Sequence, residues 1–381
     1  MSAIAYGFNA QGRKGGKALR NRQKNETPAE FRLLVECCRW AFDPSQPDSV
    51  RTAATTVDWP SFVALADRHR VAGLAWDALH SIGIDLPGEA RSQLSGTASA
   101  ITGHGLRAAV ESARLSAAFN DASVDHLFVK GLAVGALAYR SPFLKQSWDI
   151  DVLVTAGGIA GAAMILHGLG YEPISPPFGT DWKRIQRWHR VQKDSAWRHR
   201  ASGLVVELHS RLSDNLLLIP GVGLESPRRQ VAVTDAISLP TLAHDEMFAH
   251  LCVHGASSAW FRLKWISDLA AVVTRSGGDI PRLYRRSQEL GAGRSAGQAL
   301  LLAYRLFRSL EEPLLRSIES DSANDRLARL ALNQLLAPEP LSRPLGTVAI
   351  HASQFLLRPD LRFKASEARR QLAVSLSNLL D

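Results

Sequence analysis

Val129-Lys130-Gly131 and, one helix length later, Trp148-Asp149-Ile150-Asp151-Val152-Leu153-Val154 are the segments whose reading decides the fold. In an extended strand successive side chains alternate faces, so Asp149 and Asp151 point one way while Ile150, Val152 and Val154 point into a core. Two carboxylates on one face suit a divalent metal. Lys130-Gly131 precedes a predicted helix, and a Lys-Gly turn opening a helix presents backbone N–H groups that can hold phosphates. Downstream, Leu204-Val205-Val206-Glu207-Leu208-His209 repeats the alternation, with Glu207 and His209 on one face and Leu204, Val206 and Leu208 on the other. Three strand-borne carboxylates facing one helix N-terminus predict a metal-dependent nucleotide site.

Upstream of this unit the pattern is helical. Thr27-Pro28 is an N-cap and first-turn pair for a helix carrying Phe31, Leu34, Val35, Cys38 and Phe42. Another helix follows Trp59-Pro60 toward Leu79, and a longer one runs from Gly105 to Ala122 with Leu106, Val110, Ala113, Leu115 and Phe119 on its apolar side. A short strand is predicted at His126–Val129, a helix at Gly131–Tyr139, the acidic strand at Asp149–Val154 and a helix at Gly161–Leu169 that Gly170-Tyr171-Glu172-Pro173 breaks. Ser195–Arg200 and Leu204–Leu212 read as strands of a hairpin joined by Ala201-Ser202-Gly203. Pro220–Pro240 reads as a loop-rich connector, and helical spacing returns from Leu242 almost to the end.

The fold class is therefore α+β. A disordered basic arm is expected at 1–27, a helical N-terminal region at 28–123, an α/β core with a small mixed sheet at 124–240 and a C-terminal helical domain at 241–381.

The 381 residues are enough for about two to three domains with ample core. Cys37, Cys38 and Cys252 are too few for a disulfide framework, and adjacent Cys37-Cys38 lacks zinc-site spacing. No apolar run is long enough to span a bilayer, and no signal-peptide pattern stands at the N-terminus, so a soluble cytoplasmic protein without membrane partners is expected. The net charge of +9 is uneven: Arg13, Lys14, Lys17, Arg20, Arg22 and Lys24 face only Glu26 in the arm. Such an arm reads as a solvated terminus or as a contact for nucleic acid or an acidic partner.

Phe128-Val129-Lys130-Gly131, then Tyr139, then Asp149-Ile150-Asp151-Val152-Leu153-Val154, then Val206-Glu207-Leu208-His209 resemble the nucleotidyltransferases of polymerase-beta type, in their poorly characterised bacterial branch. Val57-Asp58-Trp59-Pro60 and Arg68-His69-Arg70-Val71-Ala72-Gly73-Leu74 are similar to that branch's helical lead-in. His250–Gly255 and Arg262–Leu269 resemble its trailing helices, so the likeness covers roughly residues 30 to 275. The resemblance implies transfer of a nucleoside monophosphate from a nucleoside triphosphate, ATP by expectation, to a hydroxyl of an unknown acceptor, with release of pyrophosphate. The acceptor is a small molecule, a protein side chain or a nucleic-acid end, and the oligomeric state is not legible.

Two magnesium ions, or manganese in their place, serve such chemistry at a separation of about 3.5–4 Å. Asp149 and Asp151 would hold both, and Glu207 would hold the second and orient or deprotonate the acceptor hydroxyl. Lys130, Gly131, Arg140 and Lys145 are the expected triphosphate contacts. Lys145 stands where family members carry an arginine, which keeps the charge without the bidentate fork, and Trp148 replaces a small residue.

Other signals carry two readings each. His209 shares the face of Glu207 as a supporting residue. His250 and His254 have a zinc-compatible spacing or pack toward Trp265. Asp268 resembles a recurrent family aspartate or favours a helix dipole. Trp182-Lys183-Arg184-Ile185-Gln186-Arg187-Trp188-His189-Arg190 suits base stacking and phosphate contact, or a solvated helix with a buried tryptophan stripe. No Ser/His/Asp order, P-loop or Gly-x-Gly-x-x-Gly fits, which demotes hydrolase and dehydrogenase chemistry. Two rivals to an enzyme remain: an inactive nucleotide-binding scaffold, and a nucleic-acid-binding module using the arm and the Trp/Arg segment.

Overall fold

A computed structural model of the protein describes residues 27–176, 181–275, 277, 279–308, 312–340 and 345–380, with side chains as far as 373. The basic arm, apart from residue 27, lies outside the described residues.

Five helices come first: α1 (Ala29–Trp40), α2 (Pro47–Ala53), α3 (Trp59–His69), α4 (Ala72–Ile82) and α5 (Gly88–Asp121). Pro28 itself is the N-cap of α1, one residue later than Thr27. The single helix expected from Trp59 toward Leu79 is two, because Arg70 takes a left-handed conformation with φ 55° and ends α3. The α5 helix begins well before Gly105, and its buried side is rotated from the expected one. Leu115 and Phe119 are buried, but Leu106 and Val110 are exposed, and Gly105, Ala108, Ala109 and Ser112 take their place. Small residues win this face because a neighbour comes close: a Cβ at Gly105 would lie 2.9 Å from the Phe143 ring.

The central unit runs β1 (His126–Phe128), α6 (Gly131–Ala138), β2 (Asp149–Val154), α7 (Ile159–Gly168), β3 (Tyr171–Ser175), α8 (Trp182–Val191), β4 (Asp194–His199) and β5 (Val205–His209). The five strands form one mixed sheet in the order β1-β2-β5-β4-β3, in which β2 and β5 are parallel and the other neighbours antiparallel. The helix break expected at Gly170–Pro173 is present, since α7 ends at Gly168 and Gly170 takes φ 92°, but the same residues also begin β3, which the sequence reading leaves out. This strand lies at the sheet edge, where Pro173 removes no essential ladder donor. The expected connector at 220–240 likewise contains a two-stranded hairpin, β6 (Arg228–Thr234) with β7 (Ile237–Leu242). Val231, Val233 and Leu239 bury it against the sheet's core, a tertiary contact that overrides weak strand propensity.

Eight helices follow: α9 (His244–Ser257), α10 (Leu263–Arg275), α11 (Ile280–Glu289), α12 (Gly293–Phe307), α13 (Glu312–Glu319), α14 (Ser322–Leu336), α15 (Val348–Gln354) and α16 (Leu361–Leu380). Among the described residues no helix is long and apolar enough to cross a membrane.

Two apolar clusters hold these parts together. The smaller joins Ile150, Val152, Val154, Val206 and Leu208 to Leu115 and Phe119 of α5 and Ile159 and Leu166 of α7, so one sheet face is buried as the alternation requires. The larger unites the two helical regions, Phe31, Phe62 and Leu79 with Phe248, Trp260 and Leu301, and reaches Leu127, Val134, Tyr139 and Leu153. The acidic face of β2 and β5 therefore looks toward α6, α9 and α10 rather than into open solvent.

Candidate active site

Register puts the acids together. In the parallel β2–β5 pair Asp151 stands opposite Glu207, Asp149 opposite Val205 and Leu153 opposite His209. Asp151, Glu207 and His209 each offer a ligand atom, and these atoms lie within 4.8 Å of one another, the one group of this kind among the described residues. Glu207 and His209 also meet β4, whose first residue Asp194 pairs with His209. The His209 ring bridges them: Nε2 lies 3.0 Å from Asp151 Oδ1 and 3.4 Å from Glu207 Oε2, while Nδ1 lies 3.7 Å from Asp194 Oδ2. Asp149 is half-buried beside the cluster and accepts a 3.1 Å hydrogen bond from Ser147 Oγ.

Lys130 reaches the same acids because β1 is antiparallel to β2. Phe128 pairs with Val152, and the Val129 N–H donates to the Asp151 carbonyl. Two residues past Phe128, the Lys130 ammonium lies 2.5 Å from Asp151 Oδ1 and 3.6 Å from Glu207 Oε2. Burial alone would raise the Asp151 carboxyl pKa, but Lys130 and His209 overcome it and hold the group well below the ordinary value. Burial likewise opposes charge on Lys130, yet Asp151, Glu207 and Asp149 raise its pKa above the usual lysine value. For His209, burial and the Lys130 charge oppose a proton, but the hydrogen bonds to Asp151 and Glu207 prevail and raise its pKa.

Gly131 opens α6 with φ 54°, and a Cβ there would sit 3.2 Å from Ser147 Oγ and 3.4 Å from the Asp149 carbonyl. The missing side chain lets the helix start lie directly against the acidic strand.

Lys130, Gly131, Ser147, Asp149, Asp151 and Glu207 line a cavity of about 260 Å³ with Arg70, Lys145, Lys193, Asp194, Leu251, His254, Lys264, Trp265 and Asp268 also in its wall. Lys130, Gly131, Lys145, Asp149, Asp151 and Glu207 are thus brought to one place. Arg140 is not among the lining residues; it pairs with Asp77 of α4. The Lys145 ammonium is on Asp268, which also accepts a 2.9 Å hydrogen bond from Tyr139 Oη, so Asp268 anchors α10 to α6 and to the segment before β2.

His254 meets Trp265 edge-on at 5.6 Å and His250 at 6.1 Å, which is the packing arrangement of the two histidines. Burial pushes the His250 pKa down to about 3. Trp182 stacks on Trp197 and the Trp188 indole donates to the Asp194 carbonyl, so both tryptophans of α8 turn toward the sheet. Arg70, Lys193, Asp194 and Lys264 escape a sequence reading because they come from a helix end, the start of β4 with the residue before it, and a helix that only tertiary packing brings over the acids. Their one trace is that Arg70 and Lys264 fall inside the flanking segments that carry the family resemblance.

The α+β core thus brings in-register acids on parallel strands, a glycine-started helix and a cation-lined cavity to one place. The family model described as "uncharacterised nucleotidyltransferase" matches residues 55–308, and the chain belongs to that family. No curated protein matches the chain.

Proposed function

We propose that the protein is a metal-dependent nucleotidyltransferase that moves a nucleoside monophosphate from a triphosphate, with ATP the expected donor, to a hydroxyl of an acceptor, releasing pyrophosphate. The observation that carries this reading is the alignment of Asp151 with Glu207, with Asp149 on the same face two residues earlier. The donor set fits magnesium or manganese: hard carboxylate oxygens, with an imidazole alongside, and a cavity left for phosphate and water oxygens. Asp149, Asp151 and Glu207 would hold the metal, which when bound supplies charge to the phosphate oxygens and to the attacking and leaving groups.

The chain's own groups do the rest. Backbone N–H groups at the start of α6 face the phosphates without needing to reorganise. Lys130, pinned by the acids, adds positive charge at the same place. Glu207, the more exposed of the paired acids, takes the acceptor hydroxyl's proton or orients it. His209 keeps Asp151 and Glu207 in place.

The test needs no knowledge of the acceptor. Magnesium-dependent binding of a nucleoside triphosphate by the wild type, lost in Asp149→Asn, supports the site, and label transfer from α-labelled ATP into a cell extract with stoichiometric pyrophosphate supports the reaction. A wild type that binds none of the four triphosphates, with or without magnesium, overturns it.

A further inference from the structure

The cavity holds five cationic side chains, Arg70, Lys130, Lys145, Lys193 and Lys264. Three are already committed: Lys130 to Asp151, Lys145 to Asp268 and Lys193 to Asp194. Arg70 and Lys264 form no ion pair among the described residues. Both feel the field of Asp149. They enter from either side of the α/β core in sequence, Arg70 from the turn after α3 and Lys264 from the first turn of α10.

We propose that Arg70 and Lys264 grip the polyphosphate of the incoming nucleoside triphosphate, an assignment that rests on the nucleotidyltransferase reading. Charge balance favours this ligand class. The five cations match the five carboxylates in the cavity wall, Asp149, Asp151, Asp194, Glu207 and Asp268, so the bare wall is near neutral. Each divalent ion that the nucleotidyltransferase reading implies would add two positive charges, which the negative charges of a triphosphate would offset and an uncharged hydroxyl acceptor would not. Lys264 is in an environment that disfavours its charge: burial and the Lys145 ammonium outweigh Asp149 and Asp268, and the pKa falls to about 7. An anion beside it removes that conflict.

Arg70 makes the second case. It occupies a left-handed backbone position, φ 55° and ψ 45°, where glycine is the usual residue and any side chain is strained. A helix end needs no arginine there, whereas a guanidinium aimed at phosphate uses its planar fork. The triphosphate would then be held between the two helical regions, whose shared core fixes the spacing of Arg70 and Lys264.

Equilibrium titration of the full chain with tri-, di- and monophosphates of the tightest-binding ribonucleoside, in magnesium, decides the matter for wild type, Arg70→Gln, Lys264→Gln and the charge-preserving Lys264→Arg. Each glutamine variant is expected to lose about tenfold or more in triphosphate affinity and little in monophosphate affinity, with Lys264→Arg retaining most of the wild-type preference. The monophosphate serves as the check that the variants are folded. Glutamine variants that keep wild-type discrimination between tri- and monophosphate overturn the assignment while leaving the nucleotidyltransferase reading in place. A wild type that binds no triphosphate overturns both.

Discussion

Asp149 and Asp151 occupy neighbouring positions on one strand face, yet their environments give them different tasks. Asp151 is buried and holds both the Lys130 ammonium and the His209 ring. Replacing it with asparagine leaves a buried ammonium short of its closest counter-charge, a change that costs about 2 kcal/mol or more. Asp149 is only half-buried, with one serine donor, so Asp149→Asn should leave the unfolding midpoint close to wild type while removing metal-dependent nucleotide binding. Urea unfolding of Asp149→Asn, Asp151→Asn and Asp151→Asn/Lys130→Met separates the roles: the double variant should regain most of the stability that Asp151→Asn loses. Equal destabilisation by the two single variants would contradict this division.

Lys264 supplies the opposite case, a residue that weakens the fold. Its folded pKa of about 7 lies below that of an exposed lysine, so the unfolded chain binds the extra proton between about pH 7 and 10 and stability rises with pH across that window. Lys264→Met should therefore stabilise the protein by ~1 kcal/mol or more at pH 6–7, with the gain shrinking toward pH 10. A destabilised variant at pH 7 would show that the ammonium is satisfied where it lies.

Among the elements, the β1–α6–β2 unit depends most on one small residue. Alanine at Gly131 must adopt φ 54° and press its Cβ toward Ser147 Oγ, the hydroxyl that donates to Asp149. The backbone strain destabilises by about 1–2 kcal/mol. Displacement of Ser147 and Asp149 should reduce magnesium-nucleotide affinity by more than the fold loses, which thermal unfolding and titration on the same sample would read. Wild-type affinity in Gly131→Ala would mean that the helix start does not need to lie so close.

This unit was also the most legible part of the chain, because period-two alternation in β2 and β5 and the Lys-Gly turn report their own geometry. The elements misread at the sequence level are those that tertiary contact decides. The β3 edge strand carries a proline that reads as a breaker, the β6–β7 hairpin is polar on one side and contains Pro240, and Arg70 ends α3 without a glycine to announce it. On α5, Leu106 and Val110 fit a helical period as well as the small residues that are in fact buried, and only the approach of Phe143 chooses between them. Similarly, no local signal tells that Asp151 will face Glu207; the parallel register does so, across a hairpin and two helices.

At the scale of the whole molecule, one set of groups is spread across all regions: histidines buried in the neutral form. His69 closes α3 and accepts a hydrogen bond from the Leu263 N–H at the start of α10, tying the N-terminal to the C-terminal helices. His189 of α8 is hydrogen-bonded to Ser195 and Ser210 of the sheet region, and His250 is buried in α9. Burial is the main cause in each, pushing the pKa down to about 3 for His69 and His250 and about 4 for His189. An unfolded histidine titrates near 6.5, so between that value and about 4 the unfolded chain binds protons that the folded chain refuses. Stability is therefore fully present above about pH 6.5 and is lost as pH falls toward the folded values. Each group contributes a slope of up to ~1.4 kcal/mol per pH unit, and the three together up to ~4. His209 runs the other way, since its raised pKa gives stability that is present below 6.5 and lost as pH rises, which steadies the site while the rest weakens. Because the three histidines lie in α3, α8 and α9 and two of them border the shared core, acid should unfold the helical regions and the sheet in one transition rather than shed one part first. Urea midpoints followed by far-ultraviolet circular dichroism and by tryptophan fluorescence at pH 7, 6 and 5 should fall together and steeply below pH 6. A midpoint flat from pH 7 to 5 would mean that these imidazoles accept protons within the fold, and separated transitions would mean that the helical regions and the sheet do not share their stability.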